Sequence, residues 1–197
     1  FNTKRPPLND ARVRRALSMA IEREALTRSI LRAGEPAAYC LVPPGVNNYP
    51  RGGCADFAND STNKRLAEAR DLLSAAGVSA ATPLKLTLRF NNGDTQRKTA
   101  IAVAAMWQRL GVTTELVTAD LRAHQQAVRE GDFDVARASW YAEDRDPASF
   151  LELVASRATG INISRFADQQ YDDLISRADN SASLSERAAL LRQAEAH

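Results

Sequence analysis

The sequence predicts an α/β domain, and three observations carry that prediction. Residues 84–90, Leu-Lys-Leu-Thr-Leu-Arg-Phe, alternate apolar and polar side chains, the period of a half-buried strand. A helical pattern follows over 94–110, and residues 112–118 then read as a second strand. A strand, a helix and a strand form a βαβ crossover, right-handed in nearly all folds, so both strands belong to one sheet flanked by helices.

The remaining elements follow in order. Phe1-Asn2-Thr3 and Pro6-Pro7 open the chain in extended form, and Asn9 or Asp10 caps a helix whose Val13, Leu17, Ala20, Ile21 and Leu26 recur at helical spacing. Gly34 and Pro36 end it. Ser61 or Thr62 starts a second helix, with Leu66, Ala69, Leu72 and Leu73 inward and Gly77 as its stop. In the crossover helix Ile101, Ala105, Met106 and Leu110 are expected to face inward, and Gly111 ends it. Residues 121–130 read as a short helix, Gly131-Asp132 as a turn and 133–140 as a third strand. Three helices, near 147–155, 168–178 and from Leu184 to the end, complete the order. Ligands of open α/β sheets gather at the carboxyl ends of the strands, which here are 91–94, Asp120 and 140–146.

Composition narrows the possible functions. The 197 residues are 44% hydrophobic and 25% charged, which suits a single lobe over residues 1–197 with a core of its own. Twenty-six Lys and Arg against 24 Asp and Glu leave a formal net charge of +2. No clustered basic face of the kind nucleic acid requires can be read, so no nucleic-acid partner is expected. No stretch approaches the roughly 18 to 20 apolar residues of a membrane span. The chain starts at Phe1 rather than Met and closes at His197 within a helical pattern, so it is expected to be a mature or excised piece of a larger protein, and the lack of a leader carries no weight on compartment.

Cys40 and Cys54 flank a loop rich in Pro, Gly and Asn. A disulfide closing that loop would stabilise it by roughly 3 kcal/mol and favours an oxidising compartment; two free buried thiols are the alternative. A zinc site is not expected, because His124 and His197 show no ligand spacing with the cysteines.

A longer pattern then stands out. Residues 2–23, Asn-Thr-Lys-Arg-Pro-Pro-Leu-Asn-Asp-Ala-Arg-Val-Arg-Arg-Ala-Leu-Ser-Met-Ala-Ile-Glu-Arg, are similar to the segment "FN, Pro, Asp-x-Arg-Val-Arg-x-Ala-Leu-x-x-Ala-Ile-Asp-Arg" of the peptide, dipeptide and nickel receptors of ABC importers, the extracellular solute-binding proteins of family 5. Residues 84–111, 131–140 (Gly-Asp-Phe-Asp-Val-Ala-Arg-Ala-Ser-Trp) and 142–151 resemble, in the same order, the second large lobe of the oligopeptide-binding proteins. Tyr171-Asp-Asp-Leu-Ile175 with Glu186-Arg-Ala-Ala-Leu190 resembles the family's tail. The resemblance implies the C-terminal peptide-binding lobe of a type II periplasmic-binding-protein-like fold, a mixed sheet flanked by helices, within a two-lobe protein more than twice this length. It also implies a monomeric periplasmic receptor or membrane-anchored lipoprotein, which passes oligopeptides to the permease subunits of an importer and catalyses nothing. Murein peptides, dipeptides or another small solute are the alternative ligands, and a ligand-sensing lobe of a regulatory protein is the alternative role.

The family's site residues carry over one at a time. Glu143 stands where Trp-x-Ala-Asp of the oligopeptide-binding proteins places an acid that pairs with the peptide's α-amino group, here one methylene longer; a solvated loop acid that pairs with Arg145 is the plainer reading. Trp140 matches an aromatic beside the ligand backbone, though core packing is as open. Tyr141 replaces a residue that is Cys in some relatives. Arg137 matches an Arg that meets a peptide carboxylate, and a structural acid is its other possible partner. Asn91 and Gln96 align with the family's Asn-Thr-x-Asp-x-His segment beside the carboxyl end of the ligand, with Gln96 in place of His.

Other constellations carry no chemistry. The acids Asp132, Asp134, Glu143, Asp144 and Asp146 match neither a calcium loop nor a glycosidase pair, no phosphate loop is present, and no metal or cofactor is expected. His124 lies in the polar run His-Gln-Gln without a nucleophile pattern and reads as an exposed helix residue. Met19 and Met106 read as core.

Overall fold

In the computed structural model, which describes residues 1–49 and 54–197, the alternating segment becomes β1 (Lys85–Asn91), with Leu86, Leu88 and Phe90 buried. Residues 50–53 of the cysteine loop lie outside the described residues. The chain divides into two units, Phe1–Ala37 with Asn59–Ala138, and Ala38–Ala58 with Ser139–His197.

The first unit is built on a parallel sheet. β2 (Thr113–Ala119) runs beside β1 in register from Lys85↔Thr113 to Asn91↔Ala119, and β3 (Val135–Ala136) lies on the other side of β1, opposite Leu88 and Arg89. The order β2-β1-β3 means that the chain reverses direction across the sheet at β1, the topology that leaves a crevice at the strands' carboxyl ends. Four helices complete the unit with one short turn: α1 (Ala11–Met19), α2 (Arg23–Ala25), α3 (Thr62–Ala75), α4 (Asp94–Gln108) and α5 (Leu121–Glu130). Asp10, Ser61 and Asp120 each accept a backbone N–H from the first turn of α1, α3 and α5. α1 packs on α3, while α4 and α5 pack on β1 and β2.

Asn2 ties the chain's start to this sheet. Its side chain is 1% exposed, its Nδ2 donates to the Gly131 and Phe133 carbonyls at 3.1 and 3.2 Å, and its backbone N–H donates to Asp134. Asp134 in turn accepts from the Thr87 N–H at 2.8 Å and from the Thr87 hydroxyl at 2.9 Å.

Three expectations change here. The first helix does not run through to Leu26: α1 stops at Met19, and after a break α2 leads into a π-helical turn, Leu26–Leu31. The break holds because Arg23 donates Nη1 to the Ser18 and Ile21 carbonyls, replacing the next helical turn with a side chain. The buried face of α4 is Ala100, Val103 and Trp107, with Ile101 52% exposed and Ala105 exposed. Trp107 sets that rotation: its indole is fully buried and its Nε1–H donates to the Leu17 carbonyl at 2.9 Å. Finally, the third strand is shorter than 133–140. Arg137 still donates its N–H to Arg89 at 2.8 Å, but its carbonyl turns to the His124 ring, and the ladder ends.

The second unit is helical among its described residues. α6 (Ala148–Leu151), a 3₁₀ turn (Glu152–Val154), α7 (Gln169–Asp179) and α8 (Leu184–Ala196) enclose an apolar cluster centred on Leu151, Ile175 and Leu191. The Tyr171 hydroxyl donates to the Leu151 carbonyl at 2.6 Å from within that cluster. Cys40 and Cys54 are joined in a disulfide. Val42 and Tyr49, which lie between them in sequence, are held on α8 by Glu195, which accepts the Val42 N–H at 2.7 Å and the Tyr49 hydroxyl at 2.6 Å.

Candidate functional site

Three of the expected ligand residues lie in the first unit. Asn91 is the last residue of β1, Arg137 directly follows β3, and Gln96 lies in the first turn of α4. The structure brings two of them together: Arg137 Nη1 donates to Asn91 Oδ1 at 3.4 Å. Gln96 folds its amide over Gly93, in the space a Cβ there would need. Both backbone polar groups of Arg137 are occupied, the N–H by Arg89 and the carbonyl by His124. The neighbouring Arg89 is held by Asp132, at 2.8 Å through Nη2, and is thereby kept off the same ground.

His124 is where sequence reasoning missed a residue. Its side chain is buried, not solvated, with the residue 5% exposed, and Nε2 lies 2.9 Å from the Arg137 carbonyl. A carbonyl only accepts, so Nε2 carries a proton, and burial of the ring favours its neutral form with a bare Nδ1. That Nδ1 is buried and, among the described residues, has no hydrogen-bond partner. Burial holds the ring below the ordinary imidazole range, helped by the charges of Arg89 and Arg137 and opposed by the bond to the Arg137 carbonyl. The signal was present in the sequence: His124 and Val128 are four residues apart, hence on one helical face, and they are the two buried residues of α5.

The other three expected residues lie in the second unit, on the segment that leads to α6. Trp140 is 46% exposed and Tyr141 87% exposed, so neither is a core residue. Trp140 is nonetheless oriented, since its Nε1–H donates to the Ser149 carbonyl at 2.9 Å. The acids that follow have unlike surroundings. Asp144 accepts the Ser149 hydroxyl at 2.5 Å and the Asp146 N–H at 3.1 Å, and the Ser149 bond is the main reason its carboxyl is held below the usual range. Asp146 accepts both ends of the Arg187 guanidinium, at 2.9 and 2.8 Å, and the Ala148 N–H at 2.8 Å. Glu143 is exposed and, among the described residues, makes no hydrogen bond or ion pair; the pairing with Arg145 is not formed. Beside it, Asp144, Arg145, Asp146, Asn47 and Arg187 line a polar hollow of about 290 Å³. Among the described residues, no group of three or more His, Cys, Asp or Glu side chains is arranged to hold a metal ion, and no helix is long and apolar enough to cross a membrane.

Comparison with known proteins supplies the context for these two sets. Residues 1–162 match the family described as bacterial extracellular solute-binding proteins, family 5, middle. The chain is 38% identical to the periplasmic murein peptide-binding protein MppA of Escherichia coli, and 34% identical to the periplasmic oligopeptide-binding protein OppA of Salmonella typhimurium. Each match covers 99% of this chain and 36% of the relative, so the chain spans about a third of the length of these relatives. The solved structure of the Escherichia coli murein tripeptide binding protein MppA superimposes with a TM-score of 0.95 over 99% of this chain and 38% of that one. Haemophilus influenzae OppA in complex with the peptide RPPGFSPFR superimposes with a TM-score of 0.92 at 26% identity, over 99% of this chain and 38% of that one.

Proposed function

This chain belongs to the bacterial extracellular solute-binding proteins of family 5, and from that premise we propose that it is the second large lobe of a two-lobe receptor that captures peptides outside the cytoplasm for an ABC importer. Glu143 receives the peptide's α-ammonium. Arg137, steadied by Asn91, receives its carboxylate, Gln96 borders that end, and Trp140 and Tyr141 flank the extended ligand backbone. Binding rather than catalysis is the work of such a lobe, and the ligand lies extended with its side chains in hydrated pockets.

One observation carries this reading. In the loop 143–146, Asp144 and Asp146 spend their carboxylates on Ser149, on backbone N–H groups and on the Arg187 guanidinium, while Glu143, two residues after the exposed Trp140 and Tyr141 pair, leaves its carboxylate without a partner among the described residues. An exposed acid costs nothing to keep in water, but closure over an ammonium would convert it into a desolvated charge-assisted pair.

The test is Glu143→Gln in the complete protein that carries this segment. The substitution keeps size and hydrogen-bonding capacity and removes the charge, so free-amine peptides should lose about 2 to 5 kcal/mol of binding by calorimetry. Peptides with an acetylated N-terminus should bind the parent weakly and lose little more in the variant. Equal binding of free-amine peptides by both proteins would make Glu143 a solvated loop acid and end this assignment.

Murein peptides are the second reading, supported by the 38% identity to MppA, against 34% to the oligopeptide-binding protein. A murein tripeptide that competes fully with mixed tripeptides, and binds more tightly than any of them, would favour it.

A further inference from the structure

The neutral, buried ring of His124 has a task that the ligand contacts alone do not explain. Arg137 is the first residue after β3, where the ladder stops and the backbone would otherwise be free to turn. Its N–H is fixed by the last bond of the sheet, to Arg89 at 2.8 Å, and its carbonyl is fixed by His124 Nε2 at 2.9 Å. With both ends of the residue pinned, the guanidinium can reach Asn91 Oδ1 without searching over backbone states.

We propose that His124 is a positioning residue of the ligand site, whose Nε2–H holds the Arg137 carbonyl and so aims the Arg137 guanidinium at the ligand's carboxylate. The proposal rests on the reading of Arg137 as a ligand contact. It adds a condition: the packing around this contact is built for a neutral His124. A second proton would have to sit on Nδ1, which is buried without an acceptor, and the resulting cation would face the guanidinium of Arg89 from β1 and that of Arg137 beyond β3. The sign follows. A histidine whose folded-state pKa is lowered favours the native state above the ordinary imidazole value near 6.5, and loses that contribution as the pH falls below it. The packing that keeps Arg137 aimed therefore weakens toward acid, although Nε2 is a donor in either protonation state.

The experiment compares trialanine with its C-terminal amide as probes of the complete protein. In the parent, trialanine should bind more tightly than the amide. His124→Phe keeps the ring volume and removes the donor, and the preference for the free carboxylate should fall about fivefold, the worth of roughly one net hydrogen bond. His124→Gln, which offers an amide N–H, should restore part of it. The parent's preference should decline only at a pH below the ordinary imidazole range, where the buried ring takes up its second proton, and that of His124→Phe should not. Ring ¹⁵N spectra of the parent should show a single tautomer protonated at Nε2 that persists below the ordinary titration range.

An imidazole that titrates near its ordinary value, or a His124→Phe variant that keeps both preference and pH dependence, overturns the positioning role. Arg137→Gln, run in parallel, separates the two failures. If it abolishes the preference while His124→Phe does not, Arg137 is a ligand contact and His124 has no part in it. If it changes nothing, the reading of Arg137 fails and this proposal fails with it, as it also does if the parent binds neither probe.

Discussion

The two units present their candidate ligand residues by different means. In the first, Asn91 and Arg137 are set by backbone: one ends a strand paired along its whole length with β2, the other takes the last bond of β3, and Asn2 and Asp134 cross-tie the same strands. In the second, Trp140, Tyr141 and Glu143 lie on a segment without a ladder, near side-chain tethers: one bond from Trp140 to Ser149, one from Ser149 to Asp144, and the two-pronged grip of Arg187 on Asp146. A ladder is cooperative, and its geometry survives the loss of one side chain. Tethers are separable, each with a modest effect.

The sharpest way to break this contrast is to remove the side chain around which the first unit is packed. Trp107→Ala leaves a cavity and strips the Leu17 carbonyl of its donor, and should cost about 3 to 5 kcal/mol, read as lost hydrogen-exchange protection of the β1 amides. A loss below about 1 kcal/mol would show that the sheet does not depend on this core, and that backbone order in the first unit has another source.

The counterpart in the second unit is covalent. Reduction, or paired Cys40→Ser and Cys54→Ser substitution, should lower stability by roughly 3 kcal/mol through the freed chain entropy of the loop. The denatured, unreduced protein should titrate no free thiol. Two reactive thiols would remove the covalent tie and leave Glu195 as the loop's anchor on α8.

These differences also explain how much was legible in the sequence. Periodicity located β1, α3 and α5 to within a residue or so, because each buries one regular face and carries its own cap or stop: Ser61 and Asp120 at the starts, Gly77 and Gly131 at the ends. It failed where a side chain from elsewhere replaces a backbone partner. Arg23 caps α1 early, Trp107 turns α4 about its axis, and His124 takes the carbonyl that would have carried β3 onward. In the site, family resemblance pointed to Glu143, but no pattern in 143–146 says which acids are spent internally. That depends on Ser149 and on Arg187, 41 residues from Asp146.

The smallest expected effect tests the tethers directly. Arg187→Met keeps the apolar stem of this α8 residue and removes the fork that grips Asp146. The pair is partly wet, with side-chain exposures of 24% and 40%, so solvent screening reduces its contribution to stability to about 0.5 to 1 kcal/mol. Asp146 would keep the Ala148 N–H, and α6 should still form. What should change is the loop: amides of residues 144–148 should exchange faster, and free-amine peptides should bind a few-fold more weakly, because Glu143 sits one residue before the tethered stretch. Acetylated peptides, which do not use that acid, should be indifferent to the substitution. If stability instead falls by more than about 2 kcal/mol while loop exchange stays unchanged, the pair behaves as part of the core and not as a tether. The second unit would then hold its candidate contacts as rigidly as the first, and the contrast between ladder and tether would not describe how this chain presents its ligand residues.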